Sequence, residues 1–213
     1  MTARGRTTAP IATALSAFMI LAGCTGSAPT PSNGYGAPAR PTPTSAATPA
    51  TAPPGSGAST SFGAPVLGQA WATAPLVDVT TGDTFRIADH AGKVIIIESM
   101  AIWCTNCRIQ QADVKAALGR LPTDSVVYVV LDVDPNEDGP SLAAYQAQNG
   151  FDGRYAIAGR DVARALAADF GDQFLNPPAT PILVIGTDGR VTLTEYGHKS
   201  TNEIVALAEA HGA

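Results

Sequence analysis

The chain is poor in the residues that bind metals and nucleic acids. Its 213 residues include 3 Cys and 3 His, and 13 Lys plus Arg against 18 Asp plus Glu leave a formal net charge of -5. With a pI near 5.0 there is no excess of basic side chains to neutralise a phosphate backbone, which argues against a nucleic-acid partner. Two of the cysteines form a single Cys-x-x-Cys pair, and His90, His198 and His211 lie scattered along the chain. A tetrahedral zinc site needs a second pair of ligands at short spacing, and none is present in the sequence. The apolar segment Ile11 to Ala22 is too short to span a bilayer comfortably.

What is present is distributed unevenly. Arg4 and Arg6 precede that apolar segment, which ends in Leu21-Ala22-Gly23-Cys24. A basic start, an apolar core and a small-residue stop ending in Cys resemble a bacterial lipoprotein signal, residues 1–23, with Cys24 as the lipidated first residue of the mature chain. Residues 24–61 are dominated by Ala, Pro, Thr, Ser and Gly, with Arg40 as their one charge. Such a composition cannot bury enough surface to offset chain entropy, so the segment is expected to be a disordered, proline-stiffened tether. Residues 62–213 then have the length of one domain with a single core.

Within that domain the β-branched run Val94-Ile95-Ile96-Ile97 predicts an interior strand, and Ser125 to Val133 predicts a second. Leu76 to Val79 and Thr84 to Ile87 flank Thr80-Thr81-Gly82-Asp83 as a hairpin. Helices are predicted after Cys107, with Ile109, Ala112, Ala116 and Leu118 as the apolar positions, over Pro140 to Gln148 with Gly150 just beyond, over Asp161 to Phe170 closed by Gly171, and over Ser200 to His211 behind a Ser200/Glu203 capping box. Arg154 to Ile157 reads as a short strand, and Ile182 to Ile185 with Arg190 to Tyr196 as a second hairpin. This order predicts an α/β fold: a mixed central sheet with helices on both faces and an N-terminal β-hairpin.

The strand Val94 to Ile97 leads into Trp103-Cys104-Thr105-Asn106-Cys107. Cys104 is expected at a helix N-terminus, where free backbone N–H groups and the positive end of the helix dipole favour a thiolate. A thiolate attacks disulfides, and a second sulfur three residues on can resolve the mixed disulfide. A purely structural disulfide is disfavoured, because closing so short a loop removes little unfolded-state entropy.

With these residues in view, the domain resembles the thioredoxin superfamily, and within it the membrane-tethered TlpA/ResA-type thiol–disulfide oxidoreductases. The resemblance rests on the Trp-Cys-x-x-Cys motif, on Thr180-Pro181 ahead of the strand Ile182 to Ile185, and on Glu98 six residues before Cys104. It implies a thioredoxin-like fold with no cofactor and no metal, and a Cys104–Cys107 disulfide as the redox centre. It further implies Glu98 as the proton acceptor for Cys107, and Trp103, Thr180 and a cis Pro181 as substrate-binding residues. In the family the backbone at Thr180 pairs with an extended substrate segment. Implied partners are exported protein substrates, apocytochrome c among them, a membrane thiol electron carrier, and the membrane itself through the lipid anchor on its extracytoplasmic side.

Thr105-Asn106 departs from the family's usual proline-ended dipeptide, and the Asn106 N–H or amide is expected to stabilise the Cys104 thiolate. Asp132 and Asp134 read as turn residues and Lys93 as solvent-facing. The alternatives are a disulfide-forming oxidase built from the same residues, a thiol peroxidase using Arg108 beside the pair, and a Sco-like copper carrier, whose cysteines would be spaced one residue wider.

Overall fold

A computed structural model describes residues 60–213. The expected signal segment, Cys24 and all of the expected tether except its last two residues lie outside the described residues. The elements in chain order are strand β1 (Thr60–Pro65), helix α1 (Ala70–Thr73), strands β2 (Leu76–Val77), β3 (Thr84–Phe85) and β4 (Val94–Met100), helix α2 (Thr105–Leu118), strand β5 (Val126–Asp132), helix α3 (Gly139–Asn149), strand β6 (Arg154–Ile157), helix α4 (Arg160–Phe170), strands β7 (Ile182–Ile185) and β8 (Arg190–Leu193), and helix α5 (Thr201–Ala210). Short 3-10 turns span Ile87–His90, Asp172–Leu175 and Pro177–Ala179. Among the described residues no helix is long and apolar enough to cross a membrane.

Six strands form one mixed sheet in the order β1-β8-β7-β4-β5-β6. β4 runs parallel to β5, and β5 to β6, each pair joined through a helix. β7 returns antiparallel on the other side of β4, followed by β8 and β1. Every residue of β4 is buried, as its β-branched run predicts for a central strand covered on both faces.

Alternation along the strands divides the core in two. Val94, Ile96 and Met100 of β4 pack with Val130, Ile182, Val114 of α2, Leu142 of α3 and Ile204 of α5. Ile95 and Ile97 face the opposite way, toward Trp71 of α1 and Val162, Leu166 and Phe170 of α4. Helices therefore cover both faces, and the residues Glu98, Cys104 and Cys107 belong to the α2 side.

Several boundaries differ from expectation for local reasons. β1 starts at Thr60, two residues before the expected domain, and pairs with β8. The hairpin β2–β3 is shorter than predicted and forms its own two-stranded sheet. Asp78 folds its carboxylate onto the Thr80 N–H, and the Val79 N–H turns away to the Tyr155 carbonyl of β6. The capping box at Ser200 and Glu203 forms as predicted, and Gly150 ends α3 in the left-handed region with φ 61°.

The buried face of α2 is the main surprise. Cys107, Gln110, Gln111, Val114 and Ala117 point inward, while Ala112 and Ala116 are exposed and Ile109 is 49% exposed. The stripe has helical spacing, but two of its five positions are polar.

Candidate active site

β4 ends at Met100, three residues turn the chain, and Cys104 becomes the N-cap of α2. Its sulfur accepts a hydrogen bond from the Cys107 N–H at 3.1 Å. The cysteines are joined in a disulfide with Cα atoms 5.3 Å apart. Cys107 is fully buried and Cys104 is 2% exposed, so the approach to the pair is narrow. Beside it stands Trp103, 60% exposed. A cleft of about 180 Å³ adjoins the motif, lined by Asn106, Ile109, Pro178, Thr180, Gly197 and His198. A larger cavity of about 720 Å³, which includes Leu76, Val77 and Pro140 in its lining, contains neither cysteine.

The loop opposite the sulfurs is held carbonyl by carbonyl. The Pro177 carbonyl accepts the Thr180 N–H at 2.8 Å and lies 3.2 Å from the Cys107 sulfur. The Pro178 carbonyl accepts from the Asn106 side-chain amide at 3.0 Å, and that of Ala179 from the Gly197 N–H at 2.8 Å. The Thr180 carbonyl accepts from Lys199 Nζ at 2.7 Å.

Two expectations change here. The Asn106 amide serves the loop, and the N–H aimed at the Cys104 sulfur belongs to Cys107. The Thr180–Pro181 bond is trans, since no cis peptide occurs among the described residues. The chain reverses instead at Thr180, with φ 43° and ψ 54°, directly after the 3-10 turn. A β-branched residue at positive φ is strained by about 1–3 kcal/mol, and the bonds on either side hold it there. Thr180 is buried, with its N–H and carbonyl both engaged internally, so a substrate strand pairing at this residue must share its carbonyl with Lys199.

Glu98 is on β4, two residues before that strand ends, with Val130 and Ile182 as its sheet neighbours. It is fully buried, and loss of water pushes its carboxyl up to about 8. The Tyr128 hydroxyl, donating to Oε2 at 2.6 Å, opposes that shift, as do Lys199 and the Gln111 amide more weakly. Oε1 has no hydrogen-bond partner, and neither has the Gln111 amide nitrogen. Tyr128 in turn fits because residue 153 is glycine. A Cβ there would come within 2.8 Å of the ring, and its φ of 115° disfavours any side chain.

A second acid sits at the end of the neighbouring strand. Asp132 is buried, and desolvation followed by Glu137 pushes it up to about 8. Glu137 accepts the Ile102 N–H at 2.8 Å, and Asp134 accepts the Trp103 indole N–H at 2.7 Å. The turn that carries Trp103 is thus fastened from behind by carboxylates. Asp132 and Asp134 also cap the backbone N–H groups two residues on, the turn role expected of them. Lys93 and Arg108 are exposed.

Gln110, Gln111, Tyr128, Glu137 and Lys199 were not among the residues expected here. Gln110 makes two bonds to the Lys199 backbone, at 2.7 and 2.9 Å, and Gln111 Oε1 accepts from the Tyr145 and Tyr155 hydroxyls. Adjacent glutamines on the face of Cys107, at spacings of three and four, were the available signal. Among the described residues no group of three or more His, Cys, Asp or Glu is placed to hold a metal ion.

No family model and no curated protein matches the chain. Solved structures do. A thiol:disulfide interchange protein of the thioredoxin family from Chlorobium tepidum superposes with a TM-score of 0.53 at 22% identity, over 65% of this chain and 94% of that one. A secreted Mycobacterium tuberculosis disulfide oxidoreductase homologous to Escherichia coli DsbE gives 0.53 at 14%, over 66% and 97%. A DsbF homologue from Corynebacterium diphtheriae gives 0.53 at 16%, over 75% and 96%. At these identities the likeness is one of fold, and the fold is thioredoxin-like.

Proposed function

We propose that this chain is an extracytoplasmic thiol–disulfide oxidoreductase, held at the membrane through lipidated Cys24 and working through Cys104 and Cys107. The observation that carries the reading is the cysteine pair at the start of α2, following the strand that bears the buried Glu98 with its raised carboxyl, and beside the exposed ring of Trp103. In the reduced protein the Cys107 N–H and the N-terminus of a 14-residue helix favour the Cys104 thiolate. That thiolate attacks a substrate disulfide, forming a mixed disulfide and expelling one substrate thiolate. Cys107 gives its proton to Glu98 and attacks the Cys104 sulfur. The protein disulfide forms, the mixed disulfide breaks, and the second substrate thiolate leaves. Substrate gains two electrons and the protein loses two.

The reductive direction is preferred because the dipeptide Thr105-Asn106 is neutral and no His lies beside Cys104, both unlike a strong oxidant. Substrates would be exported proteins, apocytochrome c among them, with electrons returned by a membrane thiol carrier. Cys107→Ser is expected to accumulate mixed disulfides through Cys104, identifiable by mass spectrometry, while Cys104→Ser loses insulin reduction. Retention of that activity by Cys104→Ser would reverse the assignment. A reduction potential near that of thioredoxin supports the reductase, and one near DsbA the oxidase.

A further inference from the structure

Lys199 is 6% exposed and its ammonium makes two hydrogen bonds, to the carbonyls of Thr180 at 2.7 Å and Gly197 at 2.6 Å. Neither acceptor carries a charge, and among the described residues no carboxylate lies within ion-pair distance of it. A buried cation with only neutral ligands is costly, and long lysine side chains ordinarily keep the head in water. This one is kept inside deliberately: Gln110, one turn beyond Cys107 on α2, clamps both its backbone N–H and its carbonyl. We infer that Lys199 is a positioning residue of the exchange site, holding the Thr180 carbonyl in place two residues ahead of Ile182, the β7 neighbour of Glu98, and setting its charge to act on that acid.

The electrostatics run the same way from both ends. Burial draws Lys199 down to about 8, and the charge that most opposes this is Glu98, ahead of Glu203 on α5 and Glu195 after β8. Burial draws Glu98 up to about 8, and among the described residues Lys199 is the cation that opposes it, beside Tyr128 from β5 and Gln111 from α2. The hydroxyls of Tyr145 on α3 and Tyr155 on β6 also feel the Glu98 charge. His198, next in the chain, is turned outward onto Asp113 of α2. Lys199 therefore ties to the Thr180 carbonyl a loop that touches the Cys107 sulfur at Pro177 and runs on into Ile182, the strand partner of Glu98. The inference rests on the reading of Glu98 as the acceptor of the Cys107 proton.

The test uses the full-length chain with Lys199→Gln, which removes the charge but keeps a donor, and Lys199→Arg, which keeps the charge. Two quantities are followed against pH: the Glu98 carboxyl by carbon-13 NMR in the oxidised protein, and the rate of insulin reduction. Lys199→Gln is expected to move the Glu98 midpoint upward by about one pH unit, within the range an opposite charge produces. At pH 7 that leaves about tenfold less carboxylate, and insulin reduction slows about tenfold, recovering as pH rises. Lys199→Arg is expected to stay close to wild type in both. An unmoved Glu98 midpoint in Lys199→Gln overturns the inference, as does a rate lowered equally at every pH. A midpoint that moves beneath an unmoved rate profile keeps the hold of Lys199 on Glu98 and overturns the acceptor role, so the two failures read differently. Should Lys199→Gln not fold, Lys199→Met removes the charge without adding a buried polar group and carries the same measurement.

Discussion

Glu98 and Asp132 stand on neighbouring strands, on the same face of the sheet, and burial pushes both up to about 8. Their surroundings separate them. Each has one oxygen without a hydrogen-bond partner, but Glu98 is flanked by Val130 and Ile182 and accepts from the Tyr128 hydroxyl. Asp132 is paired with a second acid, Glu137, which is already committed to the Ile102 N–H. A lone buried acid can accept a proton and return it. An acid sharing its site with another carboxylate is better suited to holding one proton and fixing backbone. A perturbed ionisation by itself does not mark a catalytic group.

The largest expected difference is in rate. Glu98→Gln should lower insulin reduction at pH 7 about 100-fold, the low end for loss of a general base, with mixed disulfide accumulating. Asp132→Asn should stay within about threefold of wild type. Equal losses in the two variants would erase the distinction.

Stability is expected to treat the two acids alike. An unfolded glutamate releases its proton near 4.5, whereas folded Glu98 keeps it to about 8. Between those values the folded chain binds more protons, so stability is full at acid pH and falls as pH rises. Asp132 acts in the same direction from 3.8 to about 8. Urea unfolding across this window should show a decline of a few kcal/mol, which either Glu98→Gln or Asp132→Asn partly flattens. A wild-type curve flat from pH 5 to 8 would contradict both assignments.

Glu137→Ala should leave the Ile102 N–H without its acceptor and lower stability by about 1 kcal/mol, read as a shift in urea midpoint, with little change in the pH profile of activity. The smallest effect is expected from Asp134→Ala. Freeing the Trp103 indole should alter tryptophan emission and raise KM for insulin a few-fold, with kcat held. A change in kcat instead would tie Asp134 to the chemistry.

The fold was legible where local chemistry and global burial agree. The run Val94 to Ile97, the Ser200/Glu203 box and Gly150 each specify their structure from a few neighbouring residues. β1 was not, because its Thr, Ser, Gly, Ala and Pro match the composition of the segment before it. The Cys104–Cys107 disulfide was legible from spacing, and the burial of Glu98 from its place in an apolar strand. Gln110, Gln111 and Lys199 were not, since polar residues read locally as surface and become interior only when α2, α5 and the loop at Thr180 close around them. The same holds for the chain reversal at Thr180, which depends on partners 17 and 19 residues away at Gly197 and Lys199.

Trp103 offers a broad apolar plate to solvent, yet its single polar atom is tethered to Asp134. A side chain so anchored has already surrendered much of its rotational freedom before any partner arrives, so little ordering entropy remains to be lost on contact. The ring is therefore a flat apolar surface held ready in place, at little further cost in freedom.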